Sequence, residues 1–205
     1  MYYDAGTPHG LPHDPFKSCI VPRPIAWITT LSADGVVNLA PFSFFNGIAS
    51  DPPMVMFSAT GTTLGQPKDT LRNCRETGEF VVNMATEDMK EAMNATCAPL
   101  PPEDDELALA GLTALPSRHV APPRVAESPV HLECRVHDVI ALPADDPASP
   151  NTLVLGRVLG VHIDERVLTD GLIDMEKARP LARLGYKDYT VVDRVFAMDR
   201  PQGRP

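Results

Sequence analysis

Apolar and polar residues alternate most cleanly between positions 130 and 142, where Val130, Leu132, Cys134 and Val136 interleave with His131, Glu133, Arg135 and His137. A period of two predicts a strand with one covered face, and the polar set predicts that the other is wetted, with His131 and His137 on the same side. TLVLGRVLGVHI at 152–163 is apolar at almost every position, as expected of a strand buried from both sides, and Gly156 and Gly160 within it invite a bulge or a close neighbour. PIAWITTL at 24–31, the turn residues SADG and then VVNLA predict a hairpin. PMVMFSA at 53–59, EFVVNM at 79–84 and DYTVVD at 188–193 complete the strands.

Helical patterns are fewer. Asp69 or Thr70 is placed to cap a helix through LRNCRET that stops at Gly78. Thr86, followed by Glu87 and Asp88, opens a second through KEAMNAT, and DDELALAG predicts a short third. Between about 97 and 128 proline and glycine become frequent, which fits either a linker or a long excursion from a barrel. Many closely spaced strands with a few peripheral helices predict an all-β fold, a closed antiparallel barrel. No G-x-G-x-x-G or G-x-x-x-x-G-K-[ST] argues for a doubly wound sheet instead.

Composition narrows the picture. The 205 residues, 43% hydrophobic and 22% charged, suit one domain spanning 1–205. A formal net charge of −9 argues against a sequence-independent hold on nucleic acid or an acidic membrane face. No stretch reaches the about 18 apolar residues of a membrane helix, and MYYDAGTPHG lacks the features of a signal peptide, so a cytoplasmic location is expected. Cys19, Cys74, Cys97 and Cys134 form no C-x-x-C pair and read as reduced thiols. His9 and His13 have i, i+4 spacing, but Pro12 between them breaks the helix a metal site would need; no metal is expected.

No nucleophile elbow or paired-acid motif is present. What stands out is polar residues at the ends of apolar strands: Thr29 and Thr30 closing WITT, Asn38, Ser43 and Asn46 in NLAPFSFFN, and Ser58 closing MVMFS. Lys68, Asp69 and Thr70 then begin a helix, where backbone amides and a positive charge together suit a phosphate. The plainer alternative stays open: Lys68 as a solvated surface residue and Thr70 as an ordinary cap.

HGLPHDPF, VPRPIAWITTLSADG, NLAPFSFFN, DPPMVMFS, KDTLRNCRETGEFVVNM, ESPVHLEC and RLGYKDY, in this order along nearly the whole chain, resemble the flavin reductase-like family, including its flavoredoxin-like members. The resemblance implies the FMN-binding split β-barrel, a Greek-key-related antiparallel barrel with added helices, usually a homodimer with FMN near the subunit interface. It implies that Asn38, Leu39, Ala40, Pro41, Phe42, Ser43 and Asn46 run past the flavin ring. A break in strand pairing at Pro41 would leave neighbouring amides for the ligand. At least two of Phe42, Phe44 and Phe45 read as plain core. By the same resemblance Thr29, Thr30 and Ser58 are strand-end hydroxyls near the phosphate and ribityl chain, and Lys68, Asp69 and Thr70 are the phosphate region. Arg23 is a phosphate ligand or an interface residue. Many relatives carry R-L-G-G where this chain has RLGY, so Arg183, Tyr186 and Tyr189 are expected on the substrate side of the cofactor, in a pocket of altered size.

The activity implied is that of an NAD(P)H-dependent flavin reductase, with no side chain needed as acid or base and electrons leaving by free flavin or a partner oxygenase. Two alternatives remain: a flavoredoxin-like electron carrier reduced by a protein donor, and a non-enzymatic flavin-binding protein.

Overall fold

The computed structural model describes residues 1–201. Seven strands build its main sheet: β1 Ala26–Leu31, β2 Val37–Phe42, β3 Phe45–Ser50, β4 Pro53–Thr60, β5 Glu79–Met84, β6 Val130–Leu142 and β7 Asn151–Ile163. They lie in the order β2-β1-β5-β6-β7-β4-β3, and every neighbouring pair is antiparallel. The sheet curls so that its two edge strands, β2 and β3, follow one another in the chain through Ser43 and Phe44. Among the described residues no ladder joins them, so the barrel is split along this seam. One bond crosses nearby, from the Ser58 amide to the Phe44 carbonyl at 2.8 Å.

The interior is aromatic. Phe57 stands between Phe42 and Phe80, with ring centroids 5.0 and 5.4 Å away. Gly156 on β7 makes this possible, because a Cβ there would lie 2.3 Å from Cζ of Phe80. Burying Phe57 and Phe80 contributes roughly 1.5–3 kcal/mol each, more than the roughly 0.5–1 kcal/mol that a glycine costs inside a strand. The glycine is therefore favoured by the packing it permits.

Strand β1 is covered on both faces. Ala26 and Ile28 point into the barrel, while Trp27 joins a second cluster with Leu39, Met93, Leu107 and Val125. That outer layer comes from helix α2, Lys90–Ala95, and helix α3, Glu106–Leu109, and the Trp27 indole N–H donates to Thr96 Oγ1 at 2.9 Å. Helix α1, Asp69–Thr77, seals one barrel end with Leu71 and Cys74 and stops at Gly78, whose φ of +72° is left-handed. The residue before α1 is Lys68, and neither Asp69 nor Thr70 caps the helix: Asp69 pairs with Arg72 at 2.6 Å, and Thr70 points to β2. Thr86 likewise gives no side-chain cap; a 3₁₀ turn, Glu87–Met89, precedes α2. Asp105 does cap α3, accepting from the Ala108 amide at 2.9 Å.

Three expectations change. The polar face of β6 is not wetted at its first half, where His131 and Glu133 are buried. The 97–128 segment folds back over them as an excursion whose short hairpin, Ala114–Leu115 with Arg124–Val125, leads the Arg118 and His119 amides onto the Glu133 carboxylate. Strand β7 is covered on one side only: Thr152, Val154 and Gly156 are buried, whereas Leu153 and Leu155 are half-buried. The Tyr189–Val191 strand does not extend the barrel; with Leu181–Arg183 and Arg23–Pro24 it forms a separate three-stranded sheet beside the seam.

Candidate functional site

A crevice of about 850 Å³ opens at the split. Its walls are the Ala40–Phe44 edge, the end of β4 with Ser58 and Thr60, the start of α1, the 96–100 segment after α2, and the 183–189 loop. Of the sequence-derived candidates it brings together Arg23, Asn38, Ala40, Pro41, Phe42, Ser43, Ser58, Lys68, Asp69, Thr70, Arg183, Tyr186 and Tyr189.

Four candidates stand elsewhere. Thr29 is fully buried, donates to the Pro123 carbonyl at 2.6 Å and accepts from Asn83 Nδ2 at 3.2 Å. Thr30 lies beneath the crevice, where its hydroxyl accepts from Asn38 Nδ2 and Asn73 Nδ2, each at 3.0 Å. Leu39 is core, and only its backbone amide takes part in the site. Asn46 is exposed on β3, with its Oδ1 accepting from the Gly47 amide at 2.9 Å. It stands opposite Met56 on the outer face of the sheet.

The seam itself comes from edge-strand geometry. Pairing does not break at Pro41, which stands opposite Trp27 in an uninterrupted β1–β2 register. Proline is tolerated because β2 is an edge strand that needs no donor on its open side. The Leu39 amide is claimed by Glu106 Oε2 at 3.1 Å, so the expected spare donors beside Pro41 reduce to what the Ser43–Phe44 turn provides. Phe42 is buried in the core, Phe45 packs half-buried against it, and Phe44 turns into the crevice.

One pole of the crevice is cationic and hydroxylic. Lys68 precedes α1, and the amides of Asp69 and Thr70 at the helix head have no intrahelical acceptor. Thr70 is held by Asn38, whose Nδ2 donates to its Oγ1 at 2.8 Å as well as to Thr30. This buried network joins β1, β2 and α1, so the helix start is fixed against the edge strand.

A further wall is built by Arg23 and the 183–189 loop. Arg23 is buried, and its terminal nitrogens donate to the carbonyls of Lys17, Ile20 at 2.6 Å and Leu184 at 2.8 Å. Burial, and then the nearby Arg183, lower its pKa. It braces the N-terminal segment, with its guanidinium 5.8 Å from the Phe44 ring centroid. Arg183 stacks on Tyr189 at 4.3 Å and donates to the Tyr186 carbonyl. Tyr186 has φ +53°, a conformation glycine takes without strain. The chain thus carries a ring at a backbone position that suits glycine, and the ring lies tilted beside His13 with centroids 5.7 Å apart. Gly185 has no such latitude, since a Cβ would fall 1.8 Å from Ser18 Oγ.

Sequence reasoning missed Glu106, Asn73 and Asn83. Glu106 is buried yet lines the crevice, and burial first, with Asp69 and Asp105 nearby, pushes its carboxyl up to about 7 against the bond from Leu39. Its only signal was a place in a short helical pattern. Asn83 sits inside an apolar strand, where it donates to the Trp27 carbonyl at 3.0 Å and accepts from the Val125 amide at 2.9 Å. No helix among the described residues is long and apolar enough to cross a membrane.

Known proteins share this architecture. Residues 18–182 match the family described as the flavin reductase like domain. An uncharacterized protein of Halalkalibacterium halodurans is 43% identical over 182 residues, covering 89% of this chain and 87% of its own. YwrF of Bacillus subtilis, also uncharacterized, is 39% identical, covering 89% of each chain. Among solved structures, nitrilotriacetate monooxygenase component B from Bacillus cereus superposes with a TM-score of 0.83 at 36% identity, over 89% of this chain and 90% of that one. Flavoredoxin of Desulfovibrio vulgaris, at 23% identity and a TM-score of 0.76 over 97% of both chains, shares the fold. The split-barrel architecture and the match across most of the sequence place this chain in the flavin reductase-like family.

Proposed function

We propose that the protein is an NAD(P)H-dependent flavin reductase that holds FMN in the crevice at the barrel seam. The observation that carries this is the pairing, in one cleft, of a Lys68–Thr70 helix head with an aromatic and peptide wall at Ala40–Phe44. A phosphate suits the first and a planar ring the second. At about 850 Å³ the cleft is in the upper part of the range for small-molecule sites, roughly 300–1,000 Å³. It has room for a second ring beside the flavin.

Bound FMN would supply the redox chemistry, accepting a hydride from the nicotinamide and passing electrons on. The protein's residues bind and orient. Lys68, the α1 head amides, Thr70 and Ser58 hold the phosphate; Asn38 fixes Thr70; Phe44 backs the ring. Tyr186 and Arg183 border the place left for the electron donor. The Ala40–Phe44 strip carries no acid or base, in keeping with a hydride step that needs none. The monooxygenase component among the similar structures supports an oxygenase as the electron acceptor.

A homodimer is part of the reading. Met56 and Leu155 stand opposite one another on the outer face of the sheet, as do Ser58, Leu153 and Ile140, and this apolar face runs to the crevice rim at Ser58. A second copy laid on it would cover the half-buried leucines and bring Asn46 to the interface.

Anaerobic addition of NADH or NADPH to the FMN-loaded protein tests the activity. Loss of the blue absorbance band within seconds is expected. A flavin that stays oxidised with both nicotinamides, and is reduced by a protein donor, would make this an electron carrier instead.

A further inference from the structure

Glu106 is a carboxyl group in an unusual position. It is carried by the excursion, not by the barrel, and α3 delivers it under the edge of β2, where Oε2 accepts the Leu39 amide at 3.1 Å. The residue's own backbone amide also hydrogen-bonds the carboxyl, and neither carboxyl oxygen is among the sealed, unsatisfied polar atoms of the described residues. The residue lines the crevice, and Oε1 is the oxygen that the Leu39 amide does not occupy.

Its electrostatic surroundings are mixed. Helix α1 presents Asp69, already paired with Arg72, together with Lys68. Its own element contributes Asp105, preceded by Glu103 and Asp104. Strand β2 contributes no ionisable side chain, the segment after α2 offers the Cys97 thiol, and Arg183, whose charge reaches that thiol together with that of Lys68, also lines the crevice. A carboxylate here would oppose an incoming phosphate dianion. A carboxylic acid would welcome one, since a buried acid kept neutral is a strong hydrogen-bond donor to an anionic oxygen.

We propose that Glu106 belongs to the phosphate pole and, as the neutral acid, donates a hydrogen bond from Oε1 to a phosphate oxygen of the bound flavin nucleotide. This rests on the FMN reading above. Oε2 keeps the Leu39 amide, so the group is oriented before the ligand arrives. The pKa of the carboxyl, already about 7 through burial, rises further when a phosphate settles beside it, and loading takes up a proton. FMN is then held less tightly as the pH climbs, and riboflavin, which has no phosphate, does not share the dependence.

The test is a titration of the full-length protein with FMN and with riboflavin, followed by flavin fluorescence from about pH 6 to about pH 9. Wild type is compared with Glu106→Gln, which keeps both an acceptor for Leu39 and a donor for the ligand, and with Glu106→Ala. The Kd of wild type for FMN should rise above pH 7 by up to about tenfold per pH unit, the limit for one linked proton. The Gln variant should bind FMN with a flat profile, the Ala variant should be weak throughout, and riboflavin should show no slope with any of them. A thermal melt of each variant separates binding loss from misfolding. Parallel profiles for wild type and Glu106→Gln, or the same slope with riboflavin, would overturn the proposal while leaving the flavin site intact. FMN affinity that improves with pH would also overturn it, making Glu106 an acceptor for a ribityl hydroxyl. Absence of FMN binding by wild type at every pH would remove the flavin reading itself.

Discussion

Asn38 donates to Thr70 across 2.8 Å and to Thr30 across 3.0 Å, so one side chain ties the edge strand of the split to the helix that begins at the crevice. Both bonds are buried. Asn38→Ala leaves the Thr70 hydroxyl without its donor and Thr30 with Asn73 alone, which costs about 1–3 kcal/mol and lowers the melting temperature by roughly 2–12 °C. FMN affinity should fall with it, because Thr70 loses its anchor. A variant with unchanged melting temperature and unchanged FMN affinity would show that the network does not position the site.

Gly156 is held to glycine by Phe80, not by its backbone. A Cβ would approach Cζ and Cε1 of Phe80 at 2.3 and 2.7 Å, and Phe80 is fully buried with nowhere to retreat. Gly156→Ala should destabilise by about 1–3 kcal/mol through overpacking. Adding Phe80→Leu should recover part of that loss, as contacting residues couple. Additive effects in denaturant unfolding would contradict the packing argument.

The strands were legible because alternation survives wherever one face meets the core: β6 and β7 fall within a residue of where the sequence puts them. What could not be read was what covers them. His131 and Glu133 sit at polar positions of a period-two strand, and no local signal says that residues 117–125 will fold over that face and turn their amides toward it. The residues at the head of α1 that line the crevice were legible for a different reason, since a lysine at a helix start is a local pattern. Thr29 and Thr30 looked like their equivalents, but a strand-end hydroxyl points to whichever side the pleat dictates, and here both are spent inside the fold. Glu106 arrives from a segment remote in sequence, so only three-dimensional proximity to Leu39 reveals it.

Glu133 and Glu106 give opposite pH dependences. Burial alone would raise the Glu133 carboxyl, but the Arg118 and His119 amides and His162 overrule it and hold it below its ordinary 4.5. Its contribution is therefore complete above that value and is lost as the pH falls through the depressed one. Glu133→Ala should loosen the excursion, seen as faster amide exchange at 117–125, and unchanged exchange there would refute its anchoring role.

Glu106, raised to about 7, holds a proton in the folded state that the unfolded chain has given up, so its contribution is present below pH 4.5 and is lost as the pH rises to 7. Unliganded wild type should lose ~1–2 kcal/mol relative to Glu106→Gln between pH 5 and pH 8, after discounting for solvent that enters the crevice. Equal slopes for the two proteins in urea unfolding would contradict a raised Glu106.

The most direct measurement is equilibrium binding of FMN to the purified apoprotein, beside Lys68→Ala. Wild type should bind saturably with one FMN per chain. The variant should bind more weakly by about 1.5–3 kcal/mol, the contribution of a hydrogen bond to a charged group, or roughly ten- to hundredfold in Kd, with an unchanged melting temperature. Wild type showing no saturable binding, or Lys68→Ala binding FMN as tightly as wild type, would contradict a flavin phosphate at the head of α1.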